Sequence, residues 1–240
     1  MNAVLELMGV SRVFPNGHGL KKTTLVINEG EIVGLLGANG SGKTTLMKVA
    51  CGLMRPDGGE VRVTGISMKN LPEKALASVG ALIETPALYS YMTGRENLLF
   101  ACDYLGVKNK KAVSDALEKV GLAKYAKDKV KNYSLGMKQR LGLAMTFIGG
   151  KKLLLLDEPT NGLDIESAAR AKEAIRLSCA ESGAAAVVSS HLASEIERLA
   201  MRVIILHEGE VIKDVPMTEA TKDGRTLEEY YLAVRMGEEV

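Results

Sequence analysis

"EIVGLLGANGSGKTTLMKVACGL", Glu31 to Leu53, decides the fold. "EIVGLLG" is a short apolar run with a β-branched bias that ends in glycines, the pattern of a buried strand entering a tight loop. Beyond Ser41 the period changes: Leu46, Val49, Ala50 and Leu53 recur at helical spacing until "RPDGG" breaks the chain. Between strand and helix, Gly37-Ala38-Asn39-Gly40-Ser41-Gly42-Lys43-Thr44 fits the pattern G-x-x-x-x-G-K-[ST]. The glycines let backbone N–H groups approach phosphate oxygens, and the helix start adds the positive end of its dipole. Lys43 is expected to reach the β- and γ-phosphates, and Thr44 to offer a hydroxyl to Mg2+. Taken alone, the stretch also fits an accidental glycine loop in a chain that holds 25 Gly, and the strand-loop-helix context argues against that. Asn39, Gly40, Ser41, Gly42, Lys43, Thr44 and Thr45 are therefore the expected nucleotide contacts.

Working outward, "KLLLLDE" (Lys152 to Glu158) and "AAAVVSS" (Ala184 to Ser190) are two more buried-strand candidates. The helical "DIESAARAKEAIRLSCA" separates them, a β-α-β rhythm that implies a parallel sheet. The first thirty residues and "GEVRVTGISM" are instead short strands with turn residues between them, which predicts a small antiparallel sheet beside the parallel one. From about Thr93 to Gly149 no convincing strand occurs, and the block reads as several helices. The expected fold is thus α/β: a P-loop NTPase core with a mainly parallel sheet, a small antiparallel β subdomain and an inserted helical subdomain. We expect a single domain over 1–240, with the core in 1–92 and 150–217, the helical subdomain in 93–149 and a helical tail in 218–240 around "TLEEYYLAVRM".

Composition narrows the function classes. The 240 residues are 46% hydrophobic and 25% charged, which suits a globular chain rather than a disordered one. Lys and Arg total 31 against 29 for Asp and Glu, and the charges are scattered, so no nucleic-acid partner is expected. Cys51, Cys102 and Cys179 are widely spaced without a C-x-x-C pair, which argues against a disulfide framework or zinc site and fits a reducing, cytosolic compartment. "MNAVLELMGVSRVF" lacks the features of a secretory signal, and runs such as "LLLL" fall far below the roughly 20 residues a membrane helix needs. Any membrane role has to come through a partner.

"LLLLDEP" supplies the second half of the site. Asp157, at the carboxyl end of a buried strand, stands where a nucleotide site needs a carboxylate for Mg2+. Glu158 beside it is placed to polarise a water for attack on the γ-phosphate. Capping of a strand end is the plainer reading of this pair by itself.

With these residues the sequence resembles the nucleotide-binding subunit of an ATP-binding cassette transporter, and the likeness covers nearly the whole chain. "YSLGMKQRL" (Tyr133 to Leu141) is similar to the family's signature, with Leu135 where Gly is common and Met137-Lys138 where Gly-Gln is common. "NGLD" (Asn161 to Asp164) matches the D-loop, His191 the switch histidine, and Phe14 the aromatic residue that stacks on adenine. The resemblance implies that Ser134 and Gly136 open a helix facing the P-loop of a second subunit, with Asp164 at the same interface, so that two ATP molecules lie in a head-to-tail dimer. Each feature has a plainer reading in isolation: a capped helix for "SLGMKQR", a strand-end histidine for His191, a core aromatic for Phe14.

In "VGALIETPALYSYMTGRENL" Glu84 stands where the family usually has Gln, in the loop that touches Mg2+ and the attacking water. Glu there resembles the subgroup of bacitracin-type and lantibiotic-immunity exporters; a neutral swap is the alternative, since both side chains present an oxygen. The expected set is therefore Glu158, His191 and Glu84 for catalysis, with Thr44, Glu84 and Asp157 for the metal. ATP and Mg2+ are the implied cofactors. The implied partners are an integral-membrane permease and a second copy of the chain, with the protein peripheral on the cytoplasmic face of the membrane. A soluble cassette ATPase that assembles other proteins is the competing class.

Overall fold

The structure, a computed structural model, describes residues 2–238. Residue 1 and the last two residues of the tail expected over 218–240 lie outside the described residues. β1 (Ala3–Val13) and β2 (Gly19–Asn28) form a hairpin, and β3 (Ile32–Leu36) runs through the glycine loop into α1 (Lys43–Ala50). β4 (Gly58–Val63), β5 (Ile66–Ser67), α2 (Pro72–Ala77) and β6 (Val79–Leu82) follow. Three α-helices come next, α3 (Gly94–Tyr104), α4 (Lys111–Lys119) and α5 (Leu135–Thr146). Then β7 (Leu153–Leu156), α6 (Ile165–Ser182), β8 (Ala185–Ser190), α7 (Ala193–Glu197) and β9 (Arg202–His207) alternate. β10 (Glu210–Pro216), α8 (Met217–Ala220) and α9 (Leu227–Met236) complete the chain as described.

One sheet has the order β2-β1-β4-β5 and is antiparallel; the other has the order β10-β9-β3-β8-β7-β6 and is parallel except for β10 at its edge. This is the α/β P-loop NTPase architecture that the sequence predicts. The parallel strands read as unbroken apolar runs because both of their faces are covered. Val33, Leu35, Leu153, Leu155, Val187 and Ile204 join the core built with the antiparallel sheet and α1. Their neighbours Ile32, Leu36, Leu154, Leu156, Val188 and Ile205 join a second core with the helices on the other side. Strand β2 faces core on one side only, so Thr23, Leu25 and Ile27 are buried while Thr24 and Val26 are exposed.

Two contacts bring the site's loops to one edge. In the register, Leu36 pairs with Ser190 and Leu156 with Val188, so β3, β7 and β8 end close together at their carboxyl termini. Gly34 lets α7 lie directly on β3, since a Cβ there would stand 2.0 Å from Ile196 Cγ2. No helix among the described residues is long and apolar enough to cross a membrane.

Candidate nucleotide site

The loops after β3, β7 and β8 enclose a cavity of about 280 Å³. Phe14, the loop from Asn39 to Thr45, Glu158 and His191 line it, together with His18, Gly19 and Asn161. At the start of α1, Gly42 adopts φ 107°, and a Cβ on it would lie 2.5 Å from Gly19 O. Only glycine fits where the loop is pressed against the β1–β2 hairpin. Lys43 is turned back over the loop, its Nζ donating to Gly37 O at 2.6 Å and Ala38 O at 3.2 Å. Its side chain is buried, and desolvation holds the ammonium below its ordinary pKa while Glu158 and Asp157 pull the other way. Ser41 Oγ is buried with no hydrogen-bond partner among the described residues, the state of a group shaped for something the protein itself does not provide. The loop therefore fits a polyphosphate: bare amides, a cation held over them and an unpaired hydroxyl.

Thr44 Oγ1 donates to Asp157 Oδ2 at 2.8 Å, and Asp157 Oδ1 accepts from Ser189 Oγ at 2.6 Å. The same Ser189 Oγ accepts the Glu158 amide at 2.9 Å, which fixes the next residue's backbone. Glu158 itself has φ 49°, a left-handed conformation that costs a non-glycine residue on the order of 1 kcal/mol. In that conformation its carboxylate lies between two partners, Lys43 Nζ at 3.9 Å and His191 Nδ1 at 2.8 Å. Three residues that the sequence puts far apart thus meet at one point.

Other expected site residues lie elsewhere in the single chain. Glu84, also left-handed at φ 61°, is exposed, and its Oε1 accepts from Lys48 Nζ on α1 at 2.7 Å. Glu84 is not part of the cavity lining. Ser134 caps α5 by accepting from the Met137 amide at 3.2 Å. Asp164 caps α6, accepting the Ser167 amide at 2.8 Å and the Ser167 hydroxyl at 2.9 Å; these bonds hold its carboxyl below the usual range. Gly136 faces Leu163, whose Cδ2 would lie 3.4 Å from a Cβ added there, so the start of α5 and the segment before α6 rest against each other. None of Ser134, Gly136 and Asp164 lines the cavity. Sequence reasoning did not single out His18, Asn161 or Ser189. Asn161 stood inside the quoted "NGLD"; Pro15-Asn16-Gly17 signals the turn that carries His18, with Phe14 N donating to His18 O, but nothing in that signal says that the turn reaches the glycine loop.

Residues 20–161 match the sequence profile of the ABC transporter family. The chain belongs to that family. The bacitracin transport ATP-binding protein BcrA of Bacillus licheniformis is 34% identical over 97% of this chain and 76% of the relative. The lantibiotic transport ATP-binding protein SrtF of Streptococcus pyogenes is 35% identical over 87% of this chain and 89% of the relative. A solved dimeric ATP-binding cassette in a post-hydrolysis state, bound to ADP and Pi, is 25% identical, with a TM-score of 0.79 over 89% of this chain and 98% of that one. The protein is an ABC-type ATPase.

Proposed function

We propose that this ATPase drives an exporter as a homodimer beneath a separate integral-membrane permease, and that the exported class is peptide antibiotics of the bacitracin or lantibiotic kind. The observation that carries it is the meeting of Lys43, Glu158 and His191 at the glycine loop while Ser134, Gly136 and Asp164 stand outside the cavity lining. A chain with both halves, held apart, needs a second copy to complete each site. The names of the relatives supply the substrate class.

Within the site, Lys43 would leave the Gly37 and Ala38 carbonyls for the β- and γ-phosphates. Thr44 Oγ1 and Asp157 Oδ2 converge and would hold Mg2+, which supplies charge neutralisation on the phosphate oxygens when bound. Glu158 accepts a proton from the attacking water. His191 keeps Glu158 in place through Nδ1; a neutral ring that donates there has only a lone pair at Nε2. To donate to a γ-phosphate oxygen as well, the ring has to carry a second proton or give up Glu158.

Glu84 acts in this reading at the join between site and permease. Lys48 on α1 neutralises it, so that the loop is tied to the helix that begins at the phosphates. The Glu84 loop continues into an exposed aromatic patch, in which Tyr89 lies 5.9 Å from Tyr91 and 5.1 Å from Phe100, ring centre to ring centre. Tyr91 is 65% exposed, an apolar surface suited to a protein partner.

The test is purification from native membranes in mild detergent. An integral-membrane protein should accompany the chain and be lost on Tyr91→Asp; retention of no membrane protein by the parent would favour the soluble assembly class and end the transport reading. Glu84→Gln, which removes the charge facing Lys48, should lower bacitracin or lantibiotic resistance several-fold in cells. ATP affinity should stay within about twofold, because the residue lies outside the cavity lining. Unchanged resistance would remove Glu84 from coupling.

A further inference from the structure

Behind the Glu158–His191 contact lies a second polar cluster that no motif names. Glu195 Oε2, at the middle of α7, accepts the Thr160 hydroxyl at 2.7 Å and the Ser190 hydroxyl at 3.1 Å. Its other oxygen is 3.6 Å from Lys172 Nζ on α6. Thr160 and Ser190 are both buried, at 8% and 2% exposure, so their hydroxyls have little access to water as an alternative acceptor. Thr160 belongs to the loop that carries Glu158, where the Asn161 amide donates back to Glu158 O at 3.1 Å. Ser190 precedes His191, and its Oγ also accepts the Leu192 amide at 3.0 Å, so one side chain fixes the backbone on both sides of the histidine.

We infer that Glu195 is a positioning residue for hydrolysis, a clasp that holds the Glu158 loop and the His191 loop in one register. The inference rests on the reading of Glu158 and His191 as the hydrolytic pair. One carboxylate oxygen serves both hydroxyls, so the loops are tied through a common atom rather than through separate supports. Without the carboxylate, two buried hydroxyls lose their acceptor and Lys172 loses its counter-charge. The 2.8 Å contact between His191 Nδ1 and Glu158 Oε2 then depends on loops that are free to shift relative to each other. Misplacement of a catalytic group by about 1 Å costs on the order of a hundredfold in rate. Phosphate binding is untouched in this picture, because the glycine loop and Lys43 hang on β3 and α1.

The experiment compares Glu195→Ala, Glu195→Gln and Glu158→Gln for ATP turnover and for equilibrium binding of a fluorescent ATP analogue. Glu195→Ala should lose about ten- to a hundredfold in kcat with binding within about twofold. Glu195→Gln should recover most of the rate, since one amide oxygen can accept from both hydroxyls as Oε2 does now. Combining Glu195→Ala with Thr160→Val should add little beyond the single change, the mark of groups acting as one unit. Parent-like kcat in Glu195→Ala, a parallel loss of binding, or a Gln variant as impaired as Ala would each overturn the clasp. If Glu195→Ala does not fold, Ser190→Ala with Thr160→Val removes both donors, and the same split between kcat and binding decides. Glu158→Gln separates the two levels. Normal turnover in it fails the reading of the pair, whereas a dead Glu158→Gln beside an unimpaired Glu195→Ala fails only the clasp.

Discussion

Replacing Glu158 by Gln should abolish ATP turnover, by about a hundredfold or more, while ATP binding persists and the nucleotide-bound dimer accumulates. The substitution keeps size and a carbonyl oxygen that can still accept from His191 Nδ1, now at 2.8 Å from Oε2. It removes the negative charge and basicity that take a proton from water, and that transfer typically supplies about 10² to 10⁴ in rate. Binding should survive because Lys43 and the glycine loop do not depend on Glu158: the lysine's short bonds go to Gly37 O and Ala38 O, and the carboxylate stands 3.9 Å away. The loss of a negative charge in the cavity also removes a repulsion toward the γ-phosphate. Phosphate release in steady state measures the turnover, and light scattering with and without ATP measures the dimer. A variant that hydrolyses ATP normally would strip Glu158 of its role.

How much of this was readable in the chain depends on whether a residue acts through local spacing or through distant contacts. The glycine loop was readable because strand, loop and helix are contiguous, and so were β7 and β8, whose runs "LLLL" and "AAVVSS" are buried on both faces. Strands β6, β9 and β10 were not named from sequence. β6 is four residues, Val79 to Leu82, with one glycine and one alanine, too short and too small to stand out from a helix end. β9, "RVIILH", is as apolar as β7, and the turn at Glu208-Gly209 that joins it to β10 is a hairpin signal, so this pair was within reach of pattern reading. At the candidate site, local motifs pointed to Lys43, Asp157 and Glu158, and the family resemblance pointed to His191. They could not foresee that Glu84 turns to Lys48, because that pairing joins a loop to a helix face thirty-six positions away in sequence. The Glu195 clasp is hidden for a related reason: Ser190 is near it in sequence, but Thr160 and Lys172 come from other elements and meet it only through tertiary packing.

Lys43→Ala should weaken ATP binding itself, about ten- to a hundredfold in Kd, the counterpart of losing roughly 1.5–3 kcal/mol of charge-assisted bonding to phosphate. Two effects act in the same direction. The cation that would meet the phosphates is gone, and Glu158 and Asp157, whose charges now favour the ammonium form of Lys43, are left to repel a triphosphate. Stability of the free protein should change far less. The ammonium is held below its ordinary pKa by burial, so its removal also relieves a desolvation cost, which offsets the loss of its bonds to Gly37 O and Ala38 O. A melting temperature close to the parent's, with a binding isotherm displaced to higher ATP, is therefore the expected pair of results. If the variant bound ATP as tightly as the parent, the cradle at Gly37 to Thr44 would be misassigned; if it failed to fold, Lys43 would be holding the loop together rather than waiting for phosphate. Lys43→Met, which keeps the length of the stem that fills the site and removes the charge, separates those two cases, because packing is retained and only the phosphate contact is lost.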